Sequence, residues 1–329
     1  MAVNLYYACS FEHNHMCQPS DGGTVFSPYG SISSGGKCGN YSIKGSSADY
    51  LTFGVLFDAR YSSMVAAAWI KSTKNTMIRI KDENGNTIAR AEFSGSGTQA
   101  VFEVCGTQDT LTMPPTGYLV WHYYVIEVKS DGTVNFYFDG EIVHSMSASC
   151  SSISIARVEF GDDSGTQYVD CAVCYEPPYI GAISFVPARI TGTSTAGMGN
   201  VTPSGSQEHE VLSDNDDDTY VATQGDNGYS EESRYSIEVD NTVDGLDVKR
   251  IVGVIIGSRS SEDTATSSTV ELGIDDESGH RTTSQRSLTT DARGKSVYIT
   301  QDPASGDEFS STNDIENYLL VLRHNIVMP

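Results

Sequence analysis

The sequence predicts an all-β chain of two β-sandwich modules in series, the second closing on a short C-terminal helix. Three observations predict it. Apolar residues recur at every second position in short runs, the period of a half-buried strand. Gly, Asn and Asp punctuate those runs where hairpin turns need positive φ angles. The composition, 19% charged with 31 Gly and with Tyr (18) outnumbering Phe (11), suits strands and turns better than helices.

At 329 residues the chain can bury two cores. The reading places a first module over 1–186, including an N-terminal strand, a connector over 187–204, and an acidic module over 205–329. In the first, Tyr41–Gly45 and Met64–Ser72 read as strands. Met77–Phe93 reads as a hairpin turning at Asn84-Gly85. Trp121–Ser145 reads as three strands turned at Ser130-Asp131-Gly132 and Asp139-Gly140, with Val134, Phe136 and Phe138 on one face of the middle one. Ile153–Gly161 and Gln167–Glu176 follow, and Pro177–Gly199 reads as a last strand running into a Gly/Thr/Ser-rich connector.

In the second module Val248–Gly279 reads as a long apolar strand, a polar loop and an alternating strand, and Lys295–Phe309 brings another strand. Then Ser311, Thr312 and Asn313 offer helix-capping chemistry, and Ile315, Leu319 and Leu322 fall at helical spacing. This predicts a helix whose three apolar residues plug one end of the sandwich, with "VLRHNIV" returning as a strand.

The net charge of -23 excludes a nucleic-acid surface, which needs clustered Lys and Arg, and disfavours anionic membranes. The asymmetry is marked: net -7 over 1–200 and -16 over 201–329. No apolar run approaches the ~20 residues of a membrane-spanning helix. "MAVNLYYACS" lacks the basic and apolar regions of a signal peptide, so a soluble protein made in the cytoplasm is expected. Seven cysteines, odd in number and irregularly spaced, favour reduced thiols over a disulfide framework.

Two stretches offer metal chemistry. Cys9, His13, His15 and Cys17 are ligand types for tetrahedral Zn2+, although their spacing matches no common zinc framework; the alternative is buried small side chains and a solvated His pair. Asp216 and Asp218, in "DNDDDTY", could hold Ca2+ through oxygens, or simply form a solvated acidic turn. No G-x-S-x-G elbow, P-loop or HExxH motif is present, so the protein is expected to be non-enzymatic. For glycoside hydrolysis the nearest acids are in "EFGDDSG" (Glu159–Gly165), in a turn and not along a strand face. Aromatics in "NLYY", "YEPPY" and the Tyr-rich 121–138 stretch could form a sugar-stacking face, or be core.

Two resemblances add to this reading. Tyr41–Gly45, Trp69, "WHYYVIEVKSDGTVNFYFDGEIV" and "VEFGDDSGTQYVDCAVCYE" resemble a laminin-G-like (concanavalin A-like) jelly roll over roughly residues 24–186. That implies a two-sheet sandwich, with calcium at a loop edge where "GDDSGTQ" (Gly161–Gln167) is the matching loop. Over roughly 179–325, "IGAISFVPARITGT", "LSDNDDDTYVAT", "KRIVGVIIGSRSS", "VELGIDDESGH" and "DPASGDEFSSTNDIENYLLVLR" resemble, in their order, a module of tailed-bacteriophage virion proteins. The chain departs from that pattern at "DEF", where an aromatic commonly follows the turn. The resemblance implies a structural virion component, tail-associated or fibre-like, or else a capsid decoration protein. Its partners would be other virion proteins, further copies of itself and a host-surface glycan, and it would assemble in the host cytoplasm. A stand-alone carbohydrate-binding lectin and a glycoside hydrolase are the alternatives.

Overall fold

In a computed structural model the described residues are 3–11, 16–27, 30–39, 41–45, 52–96, 98–150, 152–161, 166–186, 188–197, 200–202, 206–208, 212, 220–222, 230–240, 242–243, 246–248, 250–262, 267–276, 278–290 and 293–326. The protein is all-β and multi-sheet; the described elements are strands and one short helix. The chain divides into two compact units, Asn4–Phe185 and Val186–Pro329 together with Met1–Val3.

The first unit is a sandwich of two antiparallel sheets. One runs β13 (Glu141–Ser147), β12 (Thr133–Phe138), β11 (His122–Val128), β6 (Met64–Ser72), β15 (Gln167–Tyr175), β4 (Tyr41–Gly45) and β3 (Gly30–Ser34), with β1 (Leu5–Cys9) also pairing β15. The other runs β10 (Thr107–Thr112), β9 (Gln99–Val104), β8 (Thr87–Phe93), β7 (Thr76–Lys81), β14 (Ile155–Phe160), β5 (Phe53–Tyr61) and β2 (Thr24–Phe26). Alternation builds the core between them. Ala66, Ala68 and Ile70 of β6, Phe136 of β12, Ile78 of β7, Phe102 of β9 and Phe160 of β14 are all fully buried in one cluster. The hairpin turns fall where the sequence places them: Gly85, Gly132, Asp139 and Gly140 all have positive φ. Strands β5 and β9 are not read from the sequence; their outward faces mix Leu56 with Asp58 and Arg60, and Val101 with Gln99 and Glu103, which blurs the alternation.

The second unit packs the sheet β16 (Ala188–Thr195), β19 (Ser230–Val239), β26 (Leu319–Asn325), β23 (Thr269–Asp275) and β24 (Arg281–Ser287) against the pair β22 (Val254–Ser260) and β25 (Arg293–Ile299). Tyr235, Leu272 and Ile274 from the first layer share a core with Ile256, Val297 and Ile299 from the second. Strand β16 lies inside the stretch read as a connector. Two short ladders, β17 (Asn200–Thr202) with β18 (Tyr220–Ala222) and β20 (Thr242–Val243) with β21 (Leu246–Asp247), complete the described strands.

The C-terminal helix, α1 (Thr312–Glu316), is shorter than its apolar spacing predicts. Ser311 and Asp314 cap it reciprocally: Asp314 N donates to Ser311 Oγ, and Ser311 N donates to Asp314 Oδ2. Hydrogen bonding from Ser310 holds the Asp314 carboxyl below its usual range. Ile315 is buried as expected, but Leu319 and Leu322 sit on β26. The run Leu-Leu-Val-Leu is also an unbroken apolar stretch that a buried strand accepts, and seven paired positions against each of β19 and β23 outweigh one more helical turn. Tyr318 closes the end in their place: its hydroxyl bonds Asp302, accepts from Ala304 N at 3.1 Å, and its ring meets Phe309 edge-on.

The outer face of the five-stranded sheet carries an ion network. Arg281 reaches Glu232 (2.9 Å), Glu271 (3.3 Å) and Asp275 (3.6 Å); Arg234 reaches Glu232 and Asp275; Arg323 reaches Glu232 and Glu271. Replacing Arg281 with methionine leaves Glu232, Glu271 and Asp275 sharing only Arg234 and Arg323 in a half-dry setting. The expected cost is about 1–3 kcal/mol, read as a lower calorimetric transition for the second unit.

Candidate functional site

The two outer faces of the first unit differ in chemistry. On the seven-stranded sheet the charges neutralise each other. Glu159, 3% exposed, pairs with Arg157 (2.6 Å), Lys81 (3.0 Å) and Arg79 (3.4 Å), and Arg90 pairs with Glu103 at 3.2 Å. Glu159, read with its neighbours as a turn acid, stands on β14; with three cations around it, it is a structural anion.

The opposite sheet carries an aromatic cleft of about 420 Å³, lined among others by Lys37, Trp69, Trp121, His122, Tyr123 and Asp139. Local sequence sets each wall. Trp69 on β6 and Tyr123 on β11 are register partners, both pointing away from the core, with ring centroids 5.2 Å apart. Both tryptophans of the chain stand here. The Asp139-Gly140 turn folds back so that Asp139 accepts from Tyr123 N (2.8 Å) and meets His122 Nδ1 (2.6 Å). His122 Nε2 lies 2.7 Å from the Thr116 carbonyl, so both ring nitrogens face oxygen acceptors. Trp69 Nε1 is buried with no hydrogen-bond partner among the described groups.

Lys37 enters from the loop between β3 and β4, its ammonium 5.0 Å from the Trp69 ring centre. That loop is held on β15. Asp170, fully buried, accepts from Lys37 N (2.6 Å), Cys38 N (2.9 Å) and Cys171 N (2.7 Å). A bulge after Asp170 puts Cys171 at φ 47° and turns its sulfur to Cys38, with which it forms a disulfide. Gly36 is required for the approach, since a Cβ there would lie 2.2 Å from the Tyr41 carbonyl oxygen. The opposite wall is the segment after β15. Tyr179 N donates to Glu127, Ile180 N to Tyr175 Oη and Ile183 N to Tyr123 Oη, which lays Ala182 beside the cleft. Burial pushes the Tyr123 phenol well above its ordinary pKa, so it stays a neutral acceptor.

The cysteines correct the expectation of reduced thiols. Cys38–Cys171 and Cys105–Cys150 are paired, bridging 133 and 45 residues of sequence that the strand order brings together; Cys9, Cys17 and Cys174 are outside these disulfides. Spacing carries no trace of pairs made by sheet topology. Alkylating the denatured, unreduced protein is expected to label three of its seven cysteines by mass spectrometry.

A metal could be held by Cys38, Asp170 and Cys171, whose ligand atoms lie within 4.8 Å of one another. Two sulfurs and a carboxylate suit Zn2+ better than Ca2+. The fit requires the disulfide to be reduced, and the Asp170 oxygens already take three N–H groups. Of the ligands read from sequence, Cys9 and Cys17 do come together: Cys17 N and Phe11 N each donate to Cys9 Sγ at 3.3 Å. Burial pushes the Cys9 thiol up, and hydrogen bonding from the Cys17 side chain, then from the Cys17 and Phe11 N–H groups and Tyr7, outweighs it to hold the pKa below the ordinary value. His13, His15, Asp216 and Asp218 lie outside the described residues, as does most of the "GDDSGTQ" loop.

The tyrosines read as a possible sugar face are mostly interior. Tyr6, Tyr7, Tyr123, Tyr124 and Tyr175 are buried, and Tyr179 packs on Tyr137. Trp121, His122 and Tyr123 lie in the 121–138 stretch read as a possible sugar face, whereas Lys37, Trp69, Asp139 and Ala182 join them from separate segments that the fold brings together. The available signal was the pair of lone tryptophans in an acidic chain, Trp121 next to His122 and Trp69 followed by Ile70 and Lys71.

No protein-family model matches the chain, and no curated protein matches it. Among solved structures, it is similar to a sialidase at 13% identity and TM-score 0.35, covering 46% of this chain and 16% of that one. The binding domain of botulinum neurotoxin serotype G is similar at 11% identity and TM-score 0.39, over 54% of this chain and 49% of that one. The carbohydrate-binding module CBM66 from Bacillus subtilis is similar at 14% identity and TM-score 0.36, over 50% of this chain and 99% of that one. This chain therefore spans half or less of the first two. Such low likenesses speak to β-sandwich architecture and carry no function.

Proposed function

We propose that the first unit is a non-catalytic carbohydrate-binding β-sandwich whose ligand sits in the Trp69–Trp121 cleft. The cleft itself carries this reading. Its volume lies in the range of small-ligand sites, roughly 300–1,000 Å³. Sugar rings present C–H faces that stack on aromatic rings, and hydroxyls that bond fixed polar groups. The Asp139–His122 pair, Trp69 Nε1 and the Lys37 ammonium supply such groups around an aromatic wall. Glycoside hydrolysis takes two carboxylates across the scissile bond; one carboxylate, Asp139, lines this cleft among the described residues.

Titration calorimetry of the whole chain against a glycan panel tests the proposal. Millimolar or tighter binding, competed by the same sugar and leaving the glycan intact, supports it. Turnover of a polysaccharide would replace it with the enzyme reading.

The setting proposed for this activity is a phage particle, as a tail-associated or fibre-like component or a capsid decoration protein. It rests on the order of motifs over 179–325 and not on the cleft. Antibody labelling of purified particles under the electron microscope tests it: label at the tail supports adhesion, label over the head supports decoration, and absence of label leaves a stand-alone lectin.

A further inference from the structure

Beyond the cleft, the outer face of the same sheet carries a row of alternating rings and cations. Tyr168 of β15 is in register with Lys71 of β6 on one side and with Lys44 of β4 on the other. The Lys71 ammonium lies 4.5 Å from the ring centre of Tyr168 and 4.5 Å from that of Trp121. Lys44 lies 5.6 Å from the Tyr168 ring centre. The row Trp121–Lys71–Tyr168–Lys44 thus starts at the cleft wall and runs across three strands.

The charges in this row are not used as they are elsewhere in the unit. Arg79, Lys81, Arg90 and Arg157 lie against carboxylates, whereas among the described residues neither Lys44 nor Lys71 makes a salt bridge. Two described acids of this face are committed: the oxygens of Asp170 accept three backbone N–H groups, and those of Asp139 face His122 and Tyr123 N. Lys71 keeps one backbone contact, to the Gly35 carbonyl at 3.4 Å, and partial burial holds its ammonium below the ordinary lysine pKa, with Asp170 pulling the other way. A cation over a ring is attracted to its face and keeps N–H donors for an anion. In a chain of net charge -23, two such lysines aligned on rings run against the composition.

We infer that the carbohydrate recognised here is acidic, its carboxylate or sulfate group seated on Lys71 and Lys44 while a sugar ring stacks at the Trp121 end. This rests on the carbohydrate-binding reading of the cleft. Charge-assisted hydrogen bonds are about twice as strong as neutral ones, so the acidic group would set selectivity and salt dependence.

The test uses the full chain and matched glycan pairs that differ in charge alone. Oligogalacturonate against its methyl ester probes the carboxylate; 6-sulfated against unsulfated N-acetyllactosamine probes the sulfate. The acidic member of at least one pair is expected to bind about tenfold tighter at low salt, about 1.4 kcal/mol, and that advantage should shrink as salt rises. The pair that shows it identifies the anion. In the K44Q/K71Q variant, checked for unchanged unfolding, the advantage should fall to within about twofold. Equal binding within both pairs, still sensitive to Trp121, overturns the acidic ligand and leaves the carbohydrate site standing. A preference that survives in K44Q/K71Q also overturns it. Absence of binding by both pairs and by a neutral glycan panel overturns the site itself.

Discussion

Phe102→Ala is expected to destabilise the first unit by about 3–5 kcal/mol, the largest single-residue effect considered for this chain. Phe102 is fully buried on β9 and meets three rings: Phe93 at 5.7 Å, Phe136 at 4.9 Å and His144 at 5.1 Å between centroids. These neighbours come from β8, β12 and β13, so the ring joins the two sheets. Truncation leaves a cavity that alanine cannot fill, and two antiparallel sheets pinned by their ladders cannot collapse far into it. Both tryptophans of the chain, Trp69 and Trp121, lie in this unit, so urea unfolding followed by tryptophan fluorescence reports on it selectively. An unfolding free energy within about 1 kcal/mol of the parent protein would mean that Phe102 does not hold the sheets together.

Trp121→Ala is expected to weaken glycan binding by about 2 kcal/mol or more, roughly thirtyfold in Kd, with little change in stability. Trp121 precedes β11 and is half-buried, with its ring facing the Lys71 ammonium. It belongs to neither apolar core cluster, so its loss removes a stacking surface without opening the interior. Trp69 is the poorer probe, because it packs on Tyr123 and under Lys37, and its removal would disturb the cleft floor. Calorimetric titration of the variant beside an unfolding curve separates the two effects. Unchanged affinity in a folded variant would place the sugar elsewhere.

Much of the fold is legible in the sequence. The hairpin turns at Asn84-Gly85 and Asp139-Gly140, and the strands Tyr41–Gly45 and Met64–Ser72, stand where period-two alternation and turn chemistry put them. These signals are local, so they survive in any window of a few residues. The C-terminal segment shows the limit. Its capping chemistry at Ser311 is local and was readable, but the helical spacing of Ile315, Leu319 and Leu322 overlaps an unbroken apolar run, Leu319–Leu322, that equally suits a buried strand. Two waiting strand edges decided for β26 after one turn of helix.

The site was less legible for the same reason taken further. Its walls come from the loop at Lys37, β6, the start of β11, the Asp139 turn and the segment at Ala182. No motif joins them; register across the sheet does. The two disulfides were hidden in the same way. The sequence by itself determined many of the strands and their turns, the acidic balance and the helix cap, because these signals are carried along the chain. Tertiary structure alone decided which cysteines meet, which carboxylate is neutralised and which lysines lie on aromatic rings. Those contacts are made across strand ladders, between residues that the chain holds far apart.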